Sequence, residues 1–207
     1  MTRRRILIGL VVAPLLLFGL VAGTLELVYK ATDGLWEVVD GKCYRAAEME
    51  PGELVEVCER LGIRAVVDLR SELDGLHDKP PGWSLRKIEA ERQALAAAGI
   101  RHINVPARQV SDRSVVNRFV DALSQPGSRP VLIHCDHGIG RTGFFVAIYL
   151  IEFEGYTPAE ARRRVARFYS LRPGGRRHFR ADFNKGKRLM DYVPRSERKP
   201  SDARIRR

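Results

Sequence analysis

The stretch Val131-Leu132-Ile133-His134-Cys135-Asp136-His137-Gly138-Ile139-Gly140-Arg141-Thr142-Gly143 constrains this chain more than any other. Its Val-Leu-Ile run reads as a strand buried on both faces. A glycine-containing turn follows, and the apolar residues from Thr142 onward read as a helix. A cysteine between strand and helix sits where the first-turn N–H groups have no intrahelical acceptor and the helix dipole favours negative charge. The loop therefore suits an anion, and the same field favours thiolate over thiol at Cys135. Arg141 closes the loop with a planar cationic fork that can hold two phosphate oxygens at once. Gly138 and Gly140 let the loop curl tightly and keep side chains out of the anion's place. The chemistry implied is a thiolate attacking a bound phosphoryl group.

Around this segment, short β-branched runs alternate with longer amphipathic ones, the pattern of an α/β domain. Strands are expected at Leu35–Val39, Lys42–Arg45, Arg64–Leu69, Arg101–Val105 and Pro130–His134. Helices are expected at Pro51–Leu61, Ser84–Ala98, Ser114–Leu123, Thr142–Glu154 and Thr157–Ser170. The expected fold is a three-layer arrangement, a central, mostly parallel sheet flanked by helices, with the anion loop at the C-terminal end of the Pro130–His134 strand. One domain, residues 31–192, accommodates all of it.

The 207-residue chain carries a formal charge of +11, but the charge is unevenly placed. Residues 1–30 contribute +3, residues 31–170 sum to −1, and residues 171–207 contribute +9. Twenty uncharged residues, Ile6 to Leu25, follow Arg3, Arg4 and Arg5, enough to cross a hydrocarbon core as a helix of about 20 residues. Residues 1–30 therefore read as an N-terminal transmembrane anchor, or else as a cleaved secretory signal. The arginines place the N-terminus in the cytoplasm and the rest of a single-pass chain on the other side. Residues 193–207, basic and nearly free of apolar side chains, read as a disordered tail. The basic, aromatic stretch Phe168–Phe183 points to anionic lipid or solvent before nucleic acid, which is not an expected partner. Three scattered cysteines exclude a disulfide scaffold and a paired zinc-ribbon spacing, and Cys43 and Cys58 read as buried fillers.

The His134-Cys135, five residues, Arg141-Thr142 spacing resembles the signature of the cysteine-based protein tyrosine phosphatase superfamily. Upstream, Cys43-Tyr44-Arg45-Ala46-Ala47 and Leu61-Gly62-Ile63-Arg64-Ala65-Val66-Val67-Asp68-Leu69-Arg70 look like its compact, dual-specificity-like bacterial members; the likeness covers about residues 35–170. The resemblance implies that Cys135 is the nucleophile of a cysteinyl-phosphate intermediate and that Arg141 binds the phosphoryl group. Thr142 would bond the sulfur and help it leave. Asp136, His137, Gly138, Ile139, Gly140 and Arg141 would line the phosphate, and His134 would support the loop from behind. It implies no cofactor and no metal. Its substrate would be a phosphorylated protein, phosphotyrosine or dual-specificity, or else a membrane-associated lipid or sugar phosphate. A weakly catalytic phosphate-binding module is the reading from another class. With the anchor, the implied location is a bacterial inner membrane, the catalytic domain on the non-cytoplasmic side.

The proton donor stays open in the sequence. Aligning Val105-Pro106 with such phosphatases puts Gln109 where an acid is often found, leaving Asp112 as the only carboxylate on that loop. Asp112 reads equally as the general acid or as the cap of the following helix, a role Ser111 also fits. Arg70 and Arg108 read as rim residues of the pocket or as solvated surface. His77, His102 and His178 read as isolated surface or packing residues. Asp136 beside the thiolate disfavours crowding several phosphates together.

Overall fold

The computed structural model describes residues 34–74, 80, 82–109, 111–168, 179–182 and 184–198, with isolated positions 17, 20, 21, 23 and 24. Strands β1 (Trp36–Val39), β2 (Cys43–Ala46), β3 (Ala65–Asp68), β4 (Arg101–Asn104) and β5 (Val131–His134) form one sheet in the order β1-β2-β5-β3-β4. β1 pairs antiparallel with β2, and every other pairing is parallel. The expected mostly parallel sheet is therefore present, and β5, with all four residues buried, is its central strand.

Alternation along the strands sorts their side chains between two layers. On one face Tyr44, Ala46, Val66 and Leu132 pack with Leu54, Val57 and Cys58 of α1 (Pro51–Leu61) and Leu95 of α2 (Trp83–Ala97). On the other, Cys43, Ala65, Val67, Val131 and Ile133 pack against α3 (Arg113–Leu123), α4 (Gly140–Glu154) and α5 (Pro158–Phe168). Eleven residues of α4 are buried, Arg141 to Ile151 without a break. Each large apolar side chain there contributes about 1.5–3 kcal/mol by burial. α4 is therefore a rigid mount for whatever its first turn carries.

Three features differ from the sequence reading. α4 begins at Gly140, two residues before its expected start, which brings Gly140 and Arg141 into its first turn. A short helix, α6 (Asn184–Met190), was not expected; its Asn-Lys-Gly-Lys-Arg sequence lacks the apolar period that marks helices. The fold also runs past residue 192. Arg195 bonds Asp121 Oδ1 (2.6 Å) and the Asn117 carbonyl (2.7 Å), and Arg198 bonds Asn117 Oδ1 (3.0 Å), fastening a 3-10 turn at Arg195–Glu197 to α3. The disordered tail expected from residue 193 is therefore ordered to Arg198, and residues 199–207 lie outside the described set.

The apolar segment Ile6–Leu25 falls, but for five positions, outside the described residues. Among the described residues no helix is long and apolar enough to cross a membrane. Most of the basic stretch 168–183 also lies outside them, as do His77 and His178; within it Arg180 pairs with Asp182 at 2.9 Å.

Candidate active site

β5 ends in His134 and delivers Cys135 to the C-terminal edge of the sheet, where the parallel strands open onto the loops that carry ligands in such sheets. Cys135 is 2% exposed, and the Thr142 hydroxyl donates to its sulfur at 3.1 Å. The loop is fastened to the end of β2. The Glu48 N–H donates to the Asp136 carbonyl at 3.0 Å, and buried Arg45 donates through Nη2 to the Gly138 carbonyl. Asp136 and His137 turn outward and pair with each other, His137 Nδ1 lying 3.1 Å from Asp136 Oδ2. Ile139 packs against the core.

The two loop glycines are required by neighbours that the sequence did not reveal. Gly138 has φ +63°, and a Cβ there would stand 2.5 Å from the Ala46 carbonyl oxygen and 2.7 Å from Ala47 N. The obstacle is the backbone leaving β2, not the phosphate position. At Gly140 a Cβ would meet Gln109 Oε1 at 2.8 Å and Lys185 Nζ at 3.2 Å.

Arg141 is 7% exposed and fixed along one edge. Its Nη1 donates to the Leu69 carbonyl (3.1 Å), to Asp74 Oδ2 (2.5 Å) and, at 3.5 Å, to the Ala107 carbonyl. Its Nε makes no hydrogen bond among the described residues, which leaves a donor of the fork for an anion. Burial opposes its charge, but Cys135 and Asp74 outweigh burial and raise its proton affinity above the ordinary guanidinium value. Asp74 went unremarked in the sequence, where an acidic residue in a polar loop has no distinguishing signal.

Behind the loop lies a buried charge cluster. His134 shares the β5 face of Leu132 and bonds Glu91 through Nε2 at 2.9 Å. Glu91 also accepts from Arg70, whose Nε and Nη2 each reach Asp68 at 2.9 Å. His102 Nε2 lies 3.3 Å from Glu91 Oε1 and 3.6 Å from Asp68 Oδ2. Burial raises the carboxyl pKa values, but the imidazoles and, at Asp68, Arg70 reverse this: Asp68 is held well below the carboxylate range and Glu91 is lowered to about 2. Burial lowers His102, yet the neighbouring Asp68 and Glu91 carboxylates lift it to about 9. Asp68, Glu91 and His134 offer ligand atoms within 4.8 Å of one another, but the Arg70 guanidinium bonded to both carboxylates already supplies the positive charge.

This cluster corrects two readings. Arg70, 3% exposed, is not a solvated surface residue; it neutralises the carboxylates that hold His134. His102 is one of their partners rather than an isolated surface or packing residue. Arg108 is exposed, as one of its two readings had it.

The other cysteines are free and buried. Burial pushes Cys58 up to about 12 and Cys43 well above the ordinary thiol value, so both are inert fillers.

The acid loop leaves its carboxylate at the surface. Asp112 is the N-cap residue of α3, exposed, with no capping hydrogen bond from its side chain. The Ser111 hydroxyl donates to the Arg108 carbonyl at 3.1 Å. Neither residue therefore caps α3 through its side chain, and the nearest acid-loop side chain over Gly140 is the neutral Gln109.

The sheet order, the strand-to-helix cysteine loop and the anchored arginine define a class: cysteine-based phosphatases of the dual-specificity type. Residues 54–174 match a family model described as "DSP-PTPase phosphatase fused to NAD+ Kinase", and the chain belongs to that family. It is 32% identical over 107 residues to a tyrosine-protein phosphatase of Autographa californica nuclear polyhedrosis virus, covering 48% of this chain and 54% of that protein. It is 30% identical over 128 residues to the dual specificity protein phosphatase TpbA of Pseudomonas aeruginosa (strain UCBPP-PA14), covering 60% of this chain and 50% of the relative. The matches thus span about half the length of these relatives. Among solved structures, the core catalytic domain of the PP-IP phosphatase SIW14 from S. cerevisiae superposes with a TM-score of 0.53 at 19% identity, over 77% of this chain and 85% of that one, a likeness of fold.

Proposed function

We propose that this protein hydrolyses phosphate monoesters through a cysteinyl-phosphate. The observation that carries the reading is the Thr142 hydroxyl on the Cys135 sulfur beside an Arg141 held by three acceptors. In the first step the Cys135 thiolate attacks phosphorus; an S–P bond forms, the P–O bond to the leaving group breaks, and the leaving oxygen takes a proton. The free donors of Arg141 and the loop N–H groups stabilise charge on the non-bridging oxygens. In the second step water attacks phosphorus, the S–P bond breaks, and Thr142 stabilises the departing thiolate.

Asp112 is the proposed proton donor, once the loop from Val105 brings it over Gly140. The proposed substrate is a phosphorylated protein, with phosphotyrosine first. Two observations support this: the names of the matched viral and bacterial relatives, and a loop whose side chains Asp136 and His137 pair at the surface and add no net positive charge for a polyphosphorylated headgroup. Turnover of phosphotyrosine peptide, phosphoserine peptide and a phosphoinositide, each against Cys135→Ser, tests the assignment. Equal turnover by Cys135→Ser would end it. A pH profile of Asp112→Asn that matches the parent on an alkyl phosphate would remove Asp112 from the mechanism.

We also infer that residues 1–30 anchor the enzyme to a membrane, with the phosphatase domain on the non-cytoplasmic side. The charge-free run Ile6–Leu25 behind three arginines supports this. A C-terminal reporter active only in the cytoplasm would overturn the orientation.

A further inference from the structure

Lys185, at the foot of the loop, is a buried cation with no anionic partner among the described residues. It is 1% exposed, yet its ammonium makes no hydrogen bond or ion pair among the described residues. An ammonium has three donors and no acceptor, so one held inside the fold without a protein anion is left to take an anion from outside. Its Nζ and Cε stand 3.2 and 3.3 Å from where a Gly140 Cβ would be, at the foot of the cysteine loop. Burial lowers its proton affinity, Cys135 opposes that effect and Arg141 adds to it, so both are near enough to act on the ammonium.

The chain around Lys185 holds it there. Asn184 adopts φ +46°, a left-handed backbone that Asn enters more readily than other non-glycine residues. Gly186 has no room for a side chain, since a Cβ would fall 1.8 Å from the Arg180 carbonyl oxygen. A left-handed turn before Lys185 and an obligatory glycine after it aim the side chain inward.

We propose that Lys185 is the second cation of the phosphate site, its ammonium bonding a non-bridging oxygen of the substrate phosphoryl group beside Arg141. The inference rests on the phosphatase reading and adds a binding residue from outside the signature loop. Gly140 leaves the space through which Nζ reaches the anion. The arrangement also offsets the acidic Asp136 on the loop, so the site carries two cations without a lysine in its signature.

The test is tungstate binding by calorimetry on the full chain, with melting curves alongside. Lys185→Met keeps the stem's length and removes the charge. A hydrogen bond to a charged group is worth about 1.5–3 kcal/mol, so tungstate affinity should fall about 10- to 100-fold. The melting temperature should hold or rise, because a desolvated charge is gone. KM for p-nitrophenyl phosphate should rise, and Lys185→Arg should recover part of the affinity. Unchanged tungstate affinity in Lys185→Met would overturn the proposal. As a readout that needs no folded variant, the Nζ resonance of Lys185 in the wild type should shift on tungstate addition, and an unmoved resonance at saturation would also overturn it. If wild type binds tungstate but Cys135→Ser turns over substrate equally, the phosphatase reading fails and the Lys185 assignment is judged on binding alone.

Discussion

Replacing Gly138 with alanine separates two costs that the loop combines. A left-handed backbone at φ +63° costs an alanine about 1–2 kcal/mol relative to glycine. In addition the new Cβ would stand 2.5 Å from the Ala46 carbonyl oxygen, whereas close C···O contacts settle near 3.3 Å, so the loop must retreat by about 0.8 Å. The clashing atoms are backbone, which cannot rotate aside. A displacement near 1 Å at reacting groups costs up to about 100-fold in rate. Gly127→Ala is the matched control: its φ is +74°, and nothing lies within 4 Å of the added Cβ. Urea melts and steady-state hydrolysis of p-nitrophenyl phosphate should show both variants destabilised by about 1–2 kcal/mol or more, with kcat falling about 100-fold only in Gly138→Ala. Wild-type kcat in Gly138→Ala, or an equal loss in both, would refute the reasoning.

Other outcomes follow from the same geometry. Thr142→Val keeps the side-chain volume and removes the donor 3.1 Å from sulfur; dephosphorylation should slow about 10- to 100-fold and a product burst should appear in rapid mixing. Glu91→Gln leaves Arg70 and His134 without their shared carboxylate, and chemical denaturation should register a loss of about 3–5 kcal/mol. His102, raised from 6.5 to about 9, gives stability that is full below pH 6.5 and is lost as pH rises through 9, at most about 3 kcal/mol. His102→Gln should flatten that alkaline limb of the denaturation midpoint. Glu91, lowered to about 2, acts in the opposite direction: its contribution is present above the ordinary carboxylate value of 4.5 and lost as pH falls through 2.

The strand, loop and first helix of the site were legible because each rests on local physics. An apolar run marks β5, glycines mark the turn, and the unbroken apolar sequence marks α4. Cys135, Arg141 and Thr142 could be named because their roles depend on spacing within one segment. Arg45, Arg70, Glu91 and Lys185 could not. A charged residue read alone has solvent as its default surroundings, and the groups packed around these four come from separate strands, α2 and the loops, brought together only by the fold. Asp74 was hidden for the same reason, since its partner Arg141 is 67 positions away. Gly138 was singled out correctly but for the wrong neighbour, because the β2 backbone beneath it appears only once β2 pairs with β5.

Covalent transfer of phosphorus to Cys135 is the step on which the proposed hydrolysis depends most. Rapid acid quench of the enzyme during turnover, followed by peptide mass spectrometry, should find one added phosphoryl group on the peptide containing Cys135, accumulating further in Thr142→Val and absent from Cys135→Ser. A phosphoryl group on another residue, or full turnover by Cys135→Ser with none on that peptide, would contradict it.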